Sequence, residues 1–207
     1  MKMIITHLPG REAQLEMASR NRPMDIPEGA AEAAVLVLLT LGMAGCALDN
    51  VLDWRVLLIR RSRYPGVHSG QIALPGGRCE RDDKSLWDTA CREACEEVGT
   101  DRNLIQQVGQ LSSVYVQASN FAIHPFLAIN HAGEEFRANP REVVDYKNVP
   151  IWVFDPALSV LRDFSKKNSA RHLAPSWQYE DYTIWGATAM ILAELYRLVQ
   201  TGALLRG

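Results

Sequence analysis

At 207 residues the chain can bury one substantial core but is short for two. Its 22 basic and 24 acidic residues leave a net charge of −2, which gives no global field for nucleic acid or an anionic membrane. A polyanionic ligand must then be met by local positive charge or by metal, and a hydrophobic fraction of 47% argues against disorder over most of the length.

Residues 1–28 are polar and carry Pro9, Pro23 and Pro27, so they read as a peripheral lead-in with a short helix around Arg11–Arg20. Residues 29–207 read as a single domain. The apolar run Ala33–Leu48 stops short of a bilayer span and is broken by Thr40, Gly42 and Gly45. With no secretory h-region at the N-terminus, a cytoplasmic location is the default expectation. Ala33–Leu41 and Arg55–Arg60 predict strands joined by a loop through Gly45 and Asp49-Asn50, and Gln71–Leu74 predicts a third strand, stopped by Pro75-Gly76-Gly77. Ser85–Val98 predicts a helix, with Ser85 as N-cap, Asp88 three residues on, and Gly99 closing the end. Further strands are expected at Val114–Val116, Ile123–Ile129 and Val149–Phe154. The apolar periodicity of Trp185–Leu204 predicts a C-terminal helix packed on the sheet. The expected class is α/β (α+β): a mixed sheet between helices.

On the helix Ser85–Val98, Glu93, Glu96 and Glu97 fall within an arc of about 100°, beside a packing face of Trp87, Cys91, Ala94 and Val98. Like charges three and four residues apart repel, so they call for open solvent or a cation. Glu-rich faces are commonly just solvated. A divalent ion with a taste for oxygen, Mg²⁺ or Mn²⁺, would suit one carboxylate face that shares it with phosphates. Cys91 and Cys95 lie in this helix, and Cys46 and Cys79 in loops. They read as reduced thiols, because a zinc site from Cys79, Cys91 and Cys95 lacks a fourth local ligand.

The run GGRCERDDKSLWDTACREACEEVGT, residues 76–100, resembles the Nudix box. Arg92, Glu93, Glu96, Glu97 and Gly99 match its second half, with Ala94 and Thr100 as weak versions of its aliphatic positions. The first half departs: Gly77 to Arg92 is one residue longer than the standard spacing, and Asp83 stands for the upstream glutamate. Upstream, Leu57, Leu58, Arg61, Ser62, Gly70, Pro75, Gly76 and Gly77 are similar to the added signature of the coenzyme A diphosphatases, while Ile59, Gly66 and Leu74 replace its Thr, second Arg and Phe. The stretch Ile184–Leu192 resembles that branch's last helix.

The resemblance implies a Nudix fold and attack of water on a diphosphate without a covalent enzyme intermediate. It implies Glu96 and Glu97 as principal metal ligands, Gly76 through its carbonyl, and Glu93 as a further ligand or the base, with Glu142 as alternative base. Arg92 is expected to hold Glu96 four residues on. Arg61, Ser62, His68 and Gly77 are expected around the substrate, with Arg60 turned to solvent by strand alternation. The expected substrate is coenzyme A or an acyl derivative, with ADP-ribose, NADH or a related nucleotide as the rival. A silent nucleotide-binding module is weakened by the intact glutamate set. A serine or cysteine hydrolase is weakened by the missing Gly-any-Ser-any-Gly elbow. No nucleic-acid or membrane partner is expected, and a homodimer is the default assembly.

Overall fold

The computed structural model describes residues 3–20, 22–40, 51–63, 68–131, 133, 135–165 and 171–206. The second half of the apolar run, the loop through Gly45 and Asp49-Asn50, Cys46 and the Gly66 departure lie outside these residues.

In chain order the elements are β1 (Met3–Ile5), α1 (Gly10–Leu15), β2 (Ala31–Thr40), β3 (Arg55–Arg61), β4 (Ile72–Ala73), β5 (Gly76–Arg78), α2 (Leu86–Val98) and β6 (Ile105–Gln110). There follow β7 (Val114–Val116), β8 (Phe121–Asn130), β9 (Val143–Pro150), β10 (Val160–Asp163), β11 (Leu173–Tyr179), β12 (Tyr182–Trp185), α3 (Gly186–Gln200) and β13 (Leu204–Arg206). The main sheet runs β4-β3-β2-β8-β6, with β5 on β2, β7 on β8 and β9 on β3. The β2–β8 pairing is parallel and the others in this sheet are antiparallel, so the sheet is mixed.

Alternation along the central strands divides the core into two layers. Val37 and Leu39 of β2, Val56 and Leu58 of β3, and Leu127 and Ile129 of β8 face α3, meeting Met190, Leu192, Leu195 and Leu198. Ala34, Leu36, Leu38, Leu57, Ile59, Phe126 and Ala128 face the other way, onto Ala90, Ala94 and Val98 of α2. Each fully buried Leu or Val contributes roughly 1.5–3 kcal/mol. The two helices are thereby fixed on opposite faces. No helix among the described residues is long and apolar enough to cross a membrane.

Several expectations need correction. The lead-in, read as peripheral, buries Met3 and Met17 in the α3 layer and buries Ala13 as well, and Glu194 of α3, wholly buried, accepts bonds from Gln14 Nε2 at 2.8 Å and Ser112 Oγ at 2.7 Å. Its helix is only Gly10–Leu15. Val149–Phe154 is not one strand: Val149 and Pro150 end β9, and Ile151–Phe154 is a 3₁₀ turn. The C-terminal helix stops at Gln200, and Leu204–Arg206 instead pairs with Met3–Ile5.

Candidate active site

Strand β5 and helix α2 form the floor of the site. Gly76 has φ of 150°, and a Cβ there would lie 2.3 Å from the Ala34 carbonyl oxygen on β2, so only glycine lets β5 approach. A Cβ on Gly77 would lie 2.4 Å from the Glu93 carboxylate. The glycine pair therefore brings backbone against the glutamates. Helix α2 begins where Ser85 Oγ accepts from the Asp88 N–H at 3.2 Å, and ends at Gly99, φ 64°, whose N–H donates to the Cys95 carbonyl at 3.0 Å. Its small buried residues Ala90 and Ala94 let it lie close to the sheet.

Glu97 is 1% exposed. Its Oε2 accepts the Gly76 N–H at 2.9 Å, and its Oε1 lies 3.4 Å from Arg61 Nη1. The same guanidinium donates through Nη2 to the Gly76 carbonyl at 2.6 Å. Burial pushes the Glu97 carboxyl up to about 7, with Glu93 and Glu142 adding to the rise while Arg61 and the Gly76 N–H oppose it. Glu93 is also raised, chiefly by burial, against the pull of Arg92.

Arg92 was expected to hold Glu96, and that contact is its longest, at 3.5 Å. Its principal partner is Asp83, taken in a bidentate grip at 3.0 Å through both Nε and Nη2. Nη1 reaches Glu93 at 2.7 Å, and Nη2 also meets the Arg78 carbonyl at 3.1 Å. Asp83 further accepts the Glu80 N–H at 2.9 Å and the Thr89 hydroxyl at 2.8 Å, and these donors, Arg92 first, hold its carboxyl well below the usual range. In this chain Asp83 fixes Arg92, which fixes Glu93. Thr89 was missed from sequence; its only signal is a mid-helix hydroxyl on the packed side, which needs a partner.

The remaining candidates are distributed around this floor. Ser62 donates its N–H to the Glu142 carbonyl at 2.8 Å, and the exposed Glu142 carboxylate accepts from Asn139 Nδ2 at 3.3 Å. Asn139 in turn donates its N–H to the Glu97 carbonyl at 2.8 Å, tying this loop to the helix end. His68, with φ of 66°, bonds Gln71 Oε1 at 3.0 Å and Ser119 Oγ at 3.3 Å through its two ring nitrogens. Arg60 is not turned to solvent: it pairs with Asp145 at 3.1 Å and with Asp181, and lies 4.8 Å over the Tyr182 ring. Cys91 is buried in α2, and burial pushes its thiol up to about 11, which makes it a poor nucleophile.

The donors suit a hard divalent cation. They are all oxygen, from Glu93, Glu96, Glu97 and the Gly76 carbonyl, and a positive group, the Arg61 guanidinium, already sits against two of them. Among the described residues no three of His, Cys, Asp or Glu are gathered closely enough to hold an ion alone.

The NUDIX domain family matches residues 42–170. A Photorhabdus laumondii protein described as an uncharacterized Nudix hydrolase, NudL, is 34% identical over 149 residues, 70% of this chain and 77% of the relative. A NudL of Yersinia pestis is 34% identical over 148 residues, 70% of this chain and 72% of the relative. Among solved structures, a Nudix hydrolase of M. smegmatis, RenU, aligns with a TM-score of 0.56 at 18% identity over 92% of this chain and 98% of that one, a likeness of fold.

Proposed function

The chain belongs to the Nudix hydrolase family, and from that premise we propose that it cleaves the diphosphate linkage of coenzyme A or an acyl-coenzyme A. The products are 4′-phosphopantetheine, bearing any acyl group, and adenosine 3′,5′-bisphosphate. One observation carries the reading: Arg61, from the signature shared with coenzyme A diphosphatases, lies directly on Gly76 and Glu97 of the Nudix box. This contact supports reading the two motifs as parts of one site.

Nudix hydrolases generally use divalent metal ions. We assign Glu96, Glu97 and the Gly76 carbonyl as the groups that hold Mg²⁺ or Mn²⁺, with Glu93 as a further ligand or the base. When bound, such an ion neutralises phosphate charge and makes a water more acidic. The Asp83–Arg92 pair orients Glu93, and Gly77 leaves room for its carboxylate. The attacking water gives its proton to a carboxylate, Glu93 or the alternative Glu142, while its oxygen bonds phosphorus and the bridging P–O bond breaks. Arg61, Ser62, His68 and Gly77 are proposed to line the substrate. Residues 29–207 carry these groups, with residues 1–28 as a lead-in whose helix Gly10–Leu15 packs on α3.

Product analysis by mass spectrometry tests the reading, using coenzyme A, acetyl-coenzyme A, ADP-ribose, NADH and nucleoside triphosphates with Mg²⁺ or Mn²⁺. Formation of 4′-phosphopantetheine and adenosine 3′,5′-bisphosphate from coenzyme A is expected. Cleavage of ADP-ribose or NADH alone overturns the substrate and keeps the chemistry, whereas no cleavage of anything points to a binding module.

A further inference from the structure

Gly76 is held at both ends of its backbone. Its N–H is given to Glu97 Oε2 at 2.9 Å, and its carbonyl receives Arg61 Nη2 at 2.6 Å. Arg61 thereby spans two oxygens, the Gly76 carbonyl and Glu97 Oε1, which are also the best-buried oxygen donors of the acidic cluster. A Mg²⁺ ion takes its oxygens at about 2.1 Å, so a guanidinium and an ion cannot share this pair, by size or by charge. Arg61 has the means to leave. Its backbone is anchored independently by its N–H to the Gln71 carbonyl at 3.0 Å, and it sits at the irregularity in the β3–β9 ladder between Arg60 and Arg61. Its side chain is 26% exposed, so the protein only partly encloses it.

We propose that Arg61 is an exchangeable resident cation, which occupies the Gly76 carbonyl and Glu97 until a divalent ion takes them and then swings to the substrate diphosphate. The inference rests on the metal-site assignment above and adds an order of events. Arg61 is a positioning residue for the empty carboxylate and a phosphate ligand only after metal binding. Ion and diphosphate then bind cooperatively, because the ion releases the arginine that the diphosphate needs.

The test is NMR of arginine side-chain N–H groups in the full chain during Mg²⁺ titration, with binding followed separately by calorimetry. The Arg61 signal is assigned by its loss in Arg61→Lys, or in Arg61→Gln should the lysine variant fold poorly. The expected result is a shift of that signal beyond its linewidth, with the same midpoint as the binding heat, and loss of its slowed guanidinium rotation. Mg²⁺ binding with an unmoved Arg61 signal overturns the exchange and leaves the metal site standing. No binding of Mg²⁺ or Mn²⁺ overturns the metal assignment, and the exchange with it.

Discussion

Replacing Glu97 by Gln should make the metal-free protein more stable and the enzyme nearly inactive. Glu97 is buried, and its carboxyl is raised from the ordinary value of 4.5 to about 7. An acid whose pKa is raised by folding favours the fold below its unfolded value, and that contribution is lost as pH rises through the folded value. A rise of this size corresponds to about 3 kcal/mol of instability once the group is ionised in both states. Glutamine imitates the protonated acid and can still accept the Gly76 N–H. Urea unfolding in chelator at pH 8.5 should therefore favour Glu97→Gln by up to about 3 kcal/mol, shrinking below about 1 kcal/mol at pH 5. Turnover should fall about a hundredfold or more. A variant no more stable than the parent at pH 8.5, or a gap independent of pH, would refute the reasoning.

Asp83→Asn should cost about 1–3 kcal/mol through lost charge-assisted bonds to Arg92, and should lower kcat, with partial rescue by Asp83→Glu; urea melts and steady-state kinetics check both. Because Arg92 holds Asp83 below the usual carboxylate range, its stabilisation is present above the ordinary 3.8 and is lost as pH falls towards the depressed value. A Cβ at Gly77 would meet the Glu93 carboxylate, which Arg92 holds in place, so Gly77→Ala should cost about 1–3 kcal/mol in urea unfolding and lower turnover about tenfold or more. Gly76→Ala collides with β2 backbone and should cost at least about 3 kcal/mol. Glu194→Ala removes the buried acceptor of Gln14 and Ser112, costing about 2–4 kcal/mol, and limited proteolysis should then cut the lead-in faster.

How much of this was legible in the sequence depends on where the signal lay. The α2 helix, its caps and its acidic face follow from local spacing, and β2, β3 and β8 from dense branched residues. Strands β6 (IQQVGQ) and β9 (VVDYKNVP) escaped because their polar residues break the alternation, and only pairing to β8 and β3 fixes them as strands. In the site, the arginine's partner was misjudged: helical spacing favours Glu96 for Arg92, but Asp83 arrives from a preceding turn, which spacing along a helix cannot show. Arg60 is likewise satisfied by Asp145 and Asp181, remote in sequence. Local pattern pointed to the candidate groups; tertiary contact chose their partners.

The parallel pair of β2 and β8 has a consequence for how the protein is made. Ala31 pairs with Phe121 and Thr40 with Asn130, while β3, β5 and α2 all lie in the intervening crossover. During synthesis β2 can be joined by β3 and β5, its antiparallel neighbours, and the glutamate helix can dock, before β8 has left the ribosome. Until then the central strand presents an open apolar edge, and the last step is a long-range closure of the kind that slows folding. A nascent chain stalled before β8 would thus hold its catalytic motif assembled beside the edge most prone to join another chain.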